Sequence, residues 1–136
     1  MTGLIVSLNL DGVRCLVVGA GPVGRRKAAA LAAAGAVVDV RAPEHDRAFA
    51  PGDCAGYRLV VAATNDSVAN DAVAADAHRH GAWCNRADQR DGGDLAFCAT
   101  ATVGDVTVGV STGGTAPAQA RRVRDQIAAF LAEAPA

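Results

Sequence analysis

Short apolar runs alternate with longer, more polar or alanine-rich segments along the first two thirds of this chain. The apolar runs lie at residues 13–18, 36–40, 59–63 and 82–85. The segments at 23–34 and 66–79 predict helices; Gly35 suits the end of the first, and Asn65 or Asp66 the N-cap of the second. Strands that alternate with helices predict an α/β fold with a parallel sheet and right-handed crossovers, and the nearly continuous apolar strands predict burial on both faces.

The connection between the second and third predicted strands is short and interrupted. Residues 43–58 include Pro43, Pro51, Gly52 and Gly56. A parallel crossover needs about a dozen residues. This segment is long enough to cross, but its breakers predict that it does so mostly as loop, without a full helix.

The last third of the chain changes pattern. Two strand-like runs, Leu95–Val103 and Val106–Val110, are separated only by Gly104 and Asp105. That spacing predicts an antiparallel hairpin. A final helix is predicted from about residue 116 to 131, with Pro117 tolerated in its first turn.

The first apolar run leads directly into Gly19-Ala-Gly21-Pro-Val-Gly24 and then into the first helix. In such a motif the first glycine allows a tight turn, the second lets the backbone approach a pyrophosphate, and the third lets helix and strand pack closely. Backbone N–H groups and the helix dipole then face the phosphates. The motif predicts dinucleotide binding; the alternative is a glycine-rich turn that binds nothing.

Ligands of open α/β sheets bind at the carboxyl ends of the strands, so the four segments after the strands are expected to line one crevice. The cofactor-binding residues predicted there are Gly19, Gly21, Pro22, Val23, Gly24, Arg41, Ala42, Pro43, Glu44, Thr64 and Asn65.

The residues at the end of the second strand do not decide whether the cofactor is NAD or NADP. Ala42 stands where an acid that binds the ribose is usual, and Asp39 comes too early for that role. Arg41 could meet a 2′-phosphate, or it could be a solvated strand end.

Asp88 is the best catalytic candidate, because it follows the fourth strand and would face the nicotinamide half of the crevice. A partly desolvated carboxylate there can take a proton while hydride leaves for the cofactor. The alternative is an aspartate that caps a helix or a turn. His78 and His80 have no spacing that demands a metal and are expected to be solvated at a helix end, so no metal site is predicted.

Ser111-Thr112-Gly113-Gly114-Thr115 lies between a predicted strand and a helix N-terminus. Such a turn can bind a carboxylate or phosphate through backbone N–H groups. Arg121 and Arg124 follow on one face of the helix. Together they could hold an acidic substrate, or they could form a solvated or dimer-facing surface.

Composition narrows the class of protein. The 136 residues suffice for a core, but only 4% are aromatic, so its side chains are small. The net charge of −1 gives no basic field for nucleic acid. No apolar run approaches the ~20 residues of a membrane span, and the N-terminus lacks the features of a signal peptide. The four cysteines match no zinc pattern and are expected to be reduced core thiols in a cytoplasmic protein.

Five motifs in order resemble those of a known family. They are Leu10–Gly24 with the nucleotide loop, the basic pair Arg26-Lys27, Ala62-Ala-Thr-Asn-Asp66, Asn85-Arg-Ala-Asp88, and Val110-Ser-Thr-Gly-Gly-Thr-Ala-Pro117. The chain resembles the dehydrogenase–chelatase portion of siroheme synthase, the precorrin-2 dehydrogenase / sirohydrochlorin ferrochelatase family.

The resemblance implies a fold and an organisation. It implies a Rossmann-like NAD-binding domain over residues 1–90, and a hairpin-plus-helix region over residues 91–136 that serves dimerisation and substrate binding. A cytoplasmic homodimer is expected.

The resemblance also implies an activity, NAD-dependent oxidation of precorrin-2 to sirohydrochlorin, with Asp88 as the catalytic residue. The substrate carries eight carboxylates, which gives a purpose to the residues assigned to substrate binding: Asn85, Thr112, Gly113, Gly114, Arg121 and Arg124. Many members also insert Fe2+, as lyases. The short crossover, Cys98-Ala99 in place of a common Pro-Ala or Pro-Ser pair, and the short C-terminal region leave chelation open. The alternative function is a non-catalytic NAD sensor or a degenerate family member.

Overall fold

The structure is a computed structural model that describes residues 3–89 and 93–133. The chain forms two compact units: Leu8–Ala96, and Met1–Ser7 together with Phe97–Ala136. The functional division at residue 90 stays a prediction. Among the described residues, no helix is both long and apolar enough to cross a membrane.

A four-stranded parallel sheet forms the centre of the larger unit, as predicted, with the strand order β2-β1-β3-β4. The strands are β1 (Arg14–Val18), β2 (Val37–Arg41), β3 (Leu59–Ala62) and β4 (Trp83–Arg86). Helix α1 (Pro22–Ala33) connects β1 to β2, and α2 (Ser67–Arg79) connects β3 to β4. Each predicted element is present, with bounds within one residue or so of the expectation.

The central strands are buried on both faces, because consecutive residues of β1 and β3 are buried. Leu16 and Val60 point to the face covered by α2, where they join Val73 in the main apolar cluster. The opposite face packs on α1: a Cβ on Gly24 of that helix would lie 3.6 Å from Val17. Consecutive side chains of a strand point to opposite faces, so the two helices cover the two sides of the sheet.

The connection between β2 and β3 contains turns and no helix over residues 42–58, all of which the structure describes. Cys54 and Tyr57 of this connection, with Phe49 beside them, pack in the same cluster as α2. The Asp76 carboxylate on α2 accepts hydrogen bonds from the backbone N–H groups of Gly52 (2.8 Å) and Cys54 (3.0 Å). The connection therefore covers this part of the sheet in place of a crossover helix, and its hydrogen bonds to Asp76 hold it against α2.

Helix α2 begins as its sequence predicts, with Asp66 as the N-cap. The Asp66 carboxylate accepts a hydrogen bond from the backbone N–H of Val68 (2.9 Å). Helix α1 ends with Ala34 as its C-cap, followed by Gly35 at φ 91°, a conformation that favours glycine.

The smaller unit contains the predicted antiparallel hairpin, β5 (Ala99–Val103) and β6 (Val106–Val110), and helix α3 (Pro117–Glu133). The predicted first strand was too long at its start. Asp94 and Leu95 bond instead to β4: Asp94 N–H donates to the Cys84 carbonyl (2.7 Å), and the Asn85 amide donates to the Leu95 carbonyl (2.9 Å). These residues therefore belong to the edge of the parallel sheet.

All four cysteines are free thiols, and Cys15, Cys54 and Cys84 are buried. Burial raises the pKa of the Cys84 thiol to about 11, which keeps it protonated and unreactive. The prediction of core thiols is confirmed for these three cysteines, whereas Cys98 is only partly buried.

Candidate functional site

The first and third glycines of the loop after β1 are required by the protein's own packing. Gly19 has φ 119°, and a Cβ there would lie 2.4 Å from the Ala63 carbonyl oxygen. A Cβ on Gly24 would lie 2.2 Å from the Gly19 carbonyl oxygen. No real Cβ approaches backbone so closely, so only glycine fits at either position.

The second glycine is different. Gly21 is the N-cap of α1 with extended backbone (φ −73°, ψ −176°), which any residue can adopt. No described atom lies within 4 Å of the place where its Cβ would stand. Neither the backbone nor packing within the described protein requires glycine here. A Cβ would instead occupy the open space in front of the helix.

The space in front of α1 is a pocket of about 190 Å³, which we call the carboxyl-end pocket. It is lined by Gly21, Pro22, Val23, Ala63, Thr64, Asn65, Ala87 and Asp88. These residues follow β1, β3 and β4, as the sequence predicts. No side chain of the described residues caps the N-terminus of α1, and its first turn contains no acidic residue. Its positive dipole end is therefore suited to an anion.

The wall formed by the end of β3 is held in place by Asn70, which is fully buried on α2. Its amide oxygen accepts hydrogen bonds from the Thr64 backbone N–H (3.1 Å) and hydroxyl (2.7 Å). Its amide nitrogen donates to the Thr64 carbonyl (3.1 Å). Three bonds to one residue fix the loop that borders the pocket.

The carboxylate of Asp88 is bound by a buried arginine. Arg86 Nε lies 3.1 Å from Asp88 Oδ1, and Arg86 Nη2 lies 3.0 Å from Oδ2. The Asp88 side chain is a quarter exposed, whereas the Arg86 side chain is 4% exposed. The hydrogen bonds from Arg86, helped by Asn70, lower the pKa of Asp88, although burial acts in the opposite direction. The sequence predicted a partly desolvated carboxylate, but the hydrogen bonds from Arg86 lower its pKa more than desolvation raises it. Asp88 is therefore ionised at neutral pH.

The end of β2 does not line this pocket. Arg41 pairs with Asp46, and its Nε lies 3.4 Å from Asp53 Oδ2. Ala42 is buried, and its carbonyl oxygen accepts hydrogen bonds in the turn that follows. The described pocket is lined by the segments after three of the four strands. The expectation that all four line one crevice stays a prediction, because the Arg41 carbonyl accepts a hydrogen bond from the Gly19 N–H of the glycine loop (3.0 Å). A cofactor role for Arg41, Ala42, Pro43 and Glu44 stays a prediction.

Asp39 is bound within the fold. Its carboxylate accepts a hydrogen bond from the Tyr57 hydroxyl (2.6 Å), and Arg14 lies over the Tyr57 ring, 4.4 Å from its centroid. Burial, and then the hydrogen bond to Asp39, raise the pKa of Tyr57. Asp39 thus ties the crossover to β2.

Asn85 is 3% exposed, and its amide nitrogen is used by Leu95. Its amide oxygen has no hydrogen-bond partner among the described residues. The structure therefore shows a structural bond for Asn85, and its substrate-binding role stays a prediction.

The remaining substrate-binding predictions lie in the smaller unit, before and on α3. The Thr112 hydroxyl accepts a hydrogen bond from Ala116 N–H (3.0 Å), which caps this turn. Gly113 and Gly114 have φ 66° and 84°, so the turn depends on glycine. Arg121 is exposed, and Arg124 pairs with Asp125 (2.9 Å).

Both histidines at the end of α2 are exposed, as the sequence predicts, and each also makes a hydrogen bond. His78 Nε2 lies 2.8 Å from Asp94 Oδ2, and His80 Nδ1 lies 2.8 Å from the Asp76 carbonyl. Asp94 comes from a segment distant in sequence, so the pattern of the helix gave no sign of this contact. Over the described parts of the chain, no group of three or more metal-ligand side chains comes together.

A second cavity, of about 320 Å³, lies at the opposite edge of the sheet. Its lining includes Leu8, Leu10, Arg58, Leu59 and Trp83. It is larger than the carboxyl-end pocket, but it lies at the amino ends of the strands, away from the loop before α1. We therefore assign the functional site to the smaller pocket.

Two residues of the site were missed by sequence reasoning. Arg86 and Asn70 each lie within a motif or helix that the sequence marked, but neither was given a role. A charged residue directly after a predicted strand and an asparagine inside a helix were the available signals, because each needs a partner when buried.

Comparison with known proteins agrees with this geometry. Residues 6–99 match the profile of a family described as "Putative NAD(P)-binding". Residues 103–129 match one described as "Sirohaem biosynthesis protein central". A solved structure titled "SirC, precorrin-2 dehydrogenase" superposes with a TM-score of 0.81, covering 94% of this chain and 71% of that one at 24% identity. The last match shows that the two share a fold.

Curated relatives are similar over most of the chain. The siroheme synthase of Azotobacter vinelandii is 37% identical over 90% of this chain, and that of Methylococcus capsulatus is 38% identical over 93%. The chain spans about 30% of the length of either relative. The family profile covers well over half of the chain, including the whole described glycine loop and Asp88. The chain therefore belongs to the putative NAD(P)-binding family, and it is similar to the corresponding portion of siroheme synthases.

Proposed function

We propose that this chain is an NAD-dependent dehydrogenase that oxidises precorrin-2 to sirohydrochlorin in siroheme biosynthesis. The observation that carries the proposal is Gly21, a glycine that neither backbone nor packing requires, at the uncapped start of α1. A ligand that approaches this backbone closely explains it. The similarity to siroheme synthases, and the fold shared with a precorrin-2 dehydrogenase, support this choice of substrate.

The pocket residues fit the phosphates of a dinucleotide. Gly21, Pro22 and Val23 would hold the pyrophosphate at the start of α1, with Thr64 and Asn65 as the facing wall. Gly19 and Gly24 would shape the loop around it, because neither position has room for a side chain. Bound NAD would supply the acceptor for the hydride that leaves the substrate. We propose NAD rather than NADP because Arg41, the candidate for a 2′-phosphate, is already paired with two carboxylates.

Asp88 would act on the proton. Oxidation of precorrin-2 removes two hydrogens, one as hydride and one as a proton. The Asp88 carboxylate is ionised and borders the pocket, so it can stabilise the positive charge that develops as hydride departs and then accept the proton. Its pairing with Arg86 makes it a weak base that releases the proton readily to water.

The acidic substrate would also need cations and N–H donors outside this pocket. Arg121, Arg124 and the turn of Thr112, Gly113 and Gly114 are of the right chemistry for carboxylates.

We further propose a cytoplasmic homodimer that uses the smaller unit as its interface. In the described part of that unit, 3–7 and 97–133, only Ala120 is buried. Phe130 and Val106 are 71% and 45% exposed. So little burial leaves apolar surface for a second copy to cover.

Insertion of Fe2+ as a second substrate, which would make the protein also a lyase, has less support. The described residues offer no cluster of metal ligands, although Asp88 could take protons from pyrrole nitrogens. A non-catalytic NAD sensor is the alternative, and dependence of turnover on Asp88 separates the two.

Turnover tests the catalytic assignment. Purified protein would be incubated anaerobically with precorrin-2 and NAD, with absorbance at 340 nm and the sirohydrochlorin spectrum recorded. Asp88→Ala is expected to lower kcat by about 100-fold or more. Asp105→Ala, in the exposed hairpin turn, is the matched control and should leave kcat unchanged. Equal activity in wild type and Asp88→Ala would remove Asp88 from the mechanism.

Gly21→Val tests the nucleotide site without turnover. The side chain enters open space, so the free energy of unfolding should change by less than about 1 kcal/mol. The Kd for NAD should rise at least tenfold. Unchanged NAD affinity in a folded Gly21→Val protein would show that the nucleotide does not lie at the start of α1.

A further inference from the structure

We propose that Arg86 is a positioning residue that fixes the orientation and charge of Asp88, and that Asp71 on α2 holds Arg86 for this purpose. The inference rests on the proposed function, because it assigns a role within that reaction.

The guanidinium of Arg86 donates hydrogen bonds to two carboxylates. Nε and Nη2 bind the two oxygens of Asp88 as a fork, at 3.1 and 3.0 Å. Nη1 binds Asp71 Oδ1 at 2.7 Å. Only arginine presents donors in such a rigid plane, so the direction of one carboxylate sets the direction of the other bond.

Both ends of this arrangement rest on regular structure. Arg86 is the last residue of β4 and pairs with Ala62 of β3, and Asp71 lies within α2. Asp88 itself lies two residues beyond β4, in a segment without regular structure. The loop carboxylate therefore gains its orientation from a strand and a helix, through Arg86.

The burial of Arg86 makes its ion pair with Asp88 important for the fold. Its side chain is 4% exposed, so removing one of its carboxylate partners would leave a desolvated cation with less compensation. Asp71 is 67% exposed, and its carboxylate pairs with the Arg86 guanidinium from the surface side. Asp88 can thus change its charge during a reaction while Arg86 keeps one ionic partner.

The charge of Asp88 follows from the same contact. The charged groups that face it among the described residues are Arg86 on β4, with Asp71 of α2 behind it, and the Asn70 amide of α2 adds a hydrogen bond. The bond from Arg86 is the largest cause that lowers the pKa of Asp88. Loss of Arg86 should therefore raise the pKa of Asp88 and move the acidic limb of the kcat/KM profile to higher pH.

Three variants separate the effect of the positive charge of Arg86 from its effect on the orientation of Asp88. Arg86→Gln removes both, Arg86→Lys keeps the charge but loses the fork, and Asp71→Ala removes the support at the surface. Arg58→Gln is the matched control, an exposed arginine at the opposite edge of the sheet. Each variant would be assayed for kcat, for KM, for the pH profile and for the free energy of unfolding.

The pKa of Asp88 would be measured directly by 13C NMR of aspartate-labelled protein, which needs neither cofactor nor turnover. Arg86→Gln should raise this pKa by about one unit or more. It should lower kcat about 10- to 100-fold while the KM for NAD changes less than about twofold. Arg86→Lys should keep the pKa close to that of wild type yet still lose kcat, since the fork orients the carboxylate.

The outcomes distinguish this inference from the proposed function. An active wild type with unchanged kcat, pH profile and Asp88 pKa in Arg86→Gln would overturn the inference alone. A wild type without turnover would overturn the proposed function, and an unchanged Asp88 pKa in Arg86→Gln would then overturn the inference as well. Should Arg86→Gln fail to fold, Asp71→Ala supplies the test: a smaller shift in the same direction supports the inference, and no shift in pKa or kcat contradicts it.

Discussion

Replacement of Asp76 by asparagine tests how the short crossover is held. The Asp76 side chain is 1% exposed, and it accepts hydrogen bonds from Gly52 N–H and Cys54 N–H and pairs with Arg79 at 3.0 Å. An asparagine side chain at this position would have one acceptor oxygen in place of two, and its NH2 group would face a backbone donor. We therefore expect Asp76→Asn to loosen residues 52–54 from α2.

The size of the effect follows from the pKa of the carboxyl group. Burial alone would raise it, but the hydrogen bonds from Gly52, Cys54 and Arg79 hold the pKa of Asp76 at about 2, against an ordinary value of 3.8. At about 1.36 kcal/mol per pKa unit, that gap stabilises the fold by about 2 kcal/mol at pH 7. Because the folded-state value is the lower one, the contribution is complete well above pH 4 and is lost as pH falls toward 2.

Urea unfolding followed by circular dichroism, at pH 7, 5 and 3, measures this contribution. Asp76→Asn should be less stable than wild type by about 2 kcal/mol at pH 7 and 5, and by about 1 kcal/mol at pH 3. Asp105→Asn is the control and should match wild type throughout. A stability loss below about 0.5 kcal/mol at pH 7, or one that does not shrink at pH 3, would show that the Asp76 carboxylate does not hold the crossover.

Three further predictions concern single contacts. Gly24→Ala should destabilise the fold by about 2–3 kcal/mol in urea unfolding, because its Cβ would meet the Gly19 carbonyl at 2.2 Å; a stable variant would contradict the packing. Tyr57→Phe should cost about 1 kcal/mol by removing the bond to Asp39, while isothermal titration should show unchanged NAD affinity. Asp66→Ala should lower stability by about 1 kcal/mol through loss of the α2 cap, whereas Asp66→Asn should retain most of it.

The elements of the larger unit were predictable because their signals are local. The apolar runs, the Asp66 cap and Gly35 each act within a few residues, and the structure has them where the sequence indicates. The helix-free crossover was also predictable, since Pro43, Pro51, Gly52 and Gly56 interrupt the segment.

The contacts between distant segments were not predictable. The bond of His78 to Asp94 and the attachment of Leu95 to Asn85 depend on which segment lies against β4, which no periodicity reveals. The predicted start of the first hairpin strand, at Leu95, was wrong for the same reason. The pairing of Arg86 with Asp71 joins residues 15 positions apart on a strand and a helix, and it became visible only with the fold.

The stoichiometry of the reaction tests the proposed dehydrogenase activity. Wild-type protein, precorrin-2 and excess NAD would be mixed under anaerobic conditions, and NADH and sirohydrochlorin would be quantified together. An NAD-dependent dehydrogenase forms equal amounts of both products, with neither formed when NAD is omitted. Tight NAD binding without NADH or sirohydrochlorin would contradict this activity, and would leave the chain as a nucleotide-binding module.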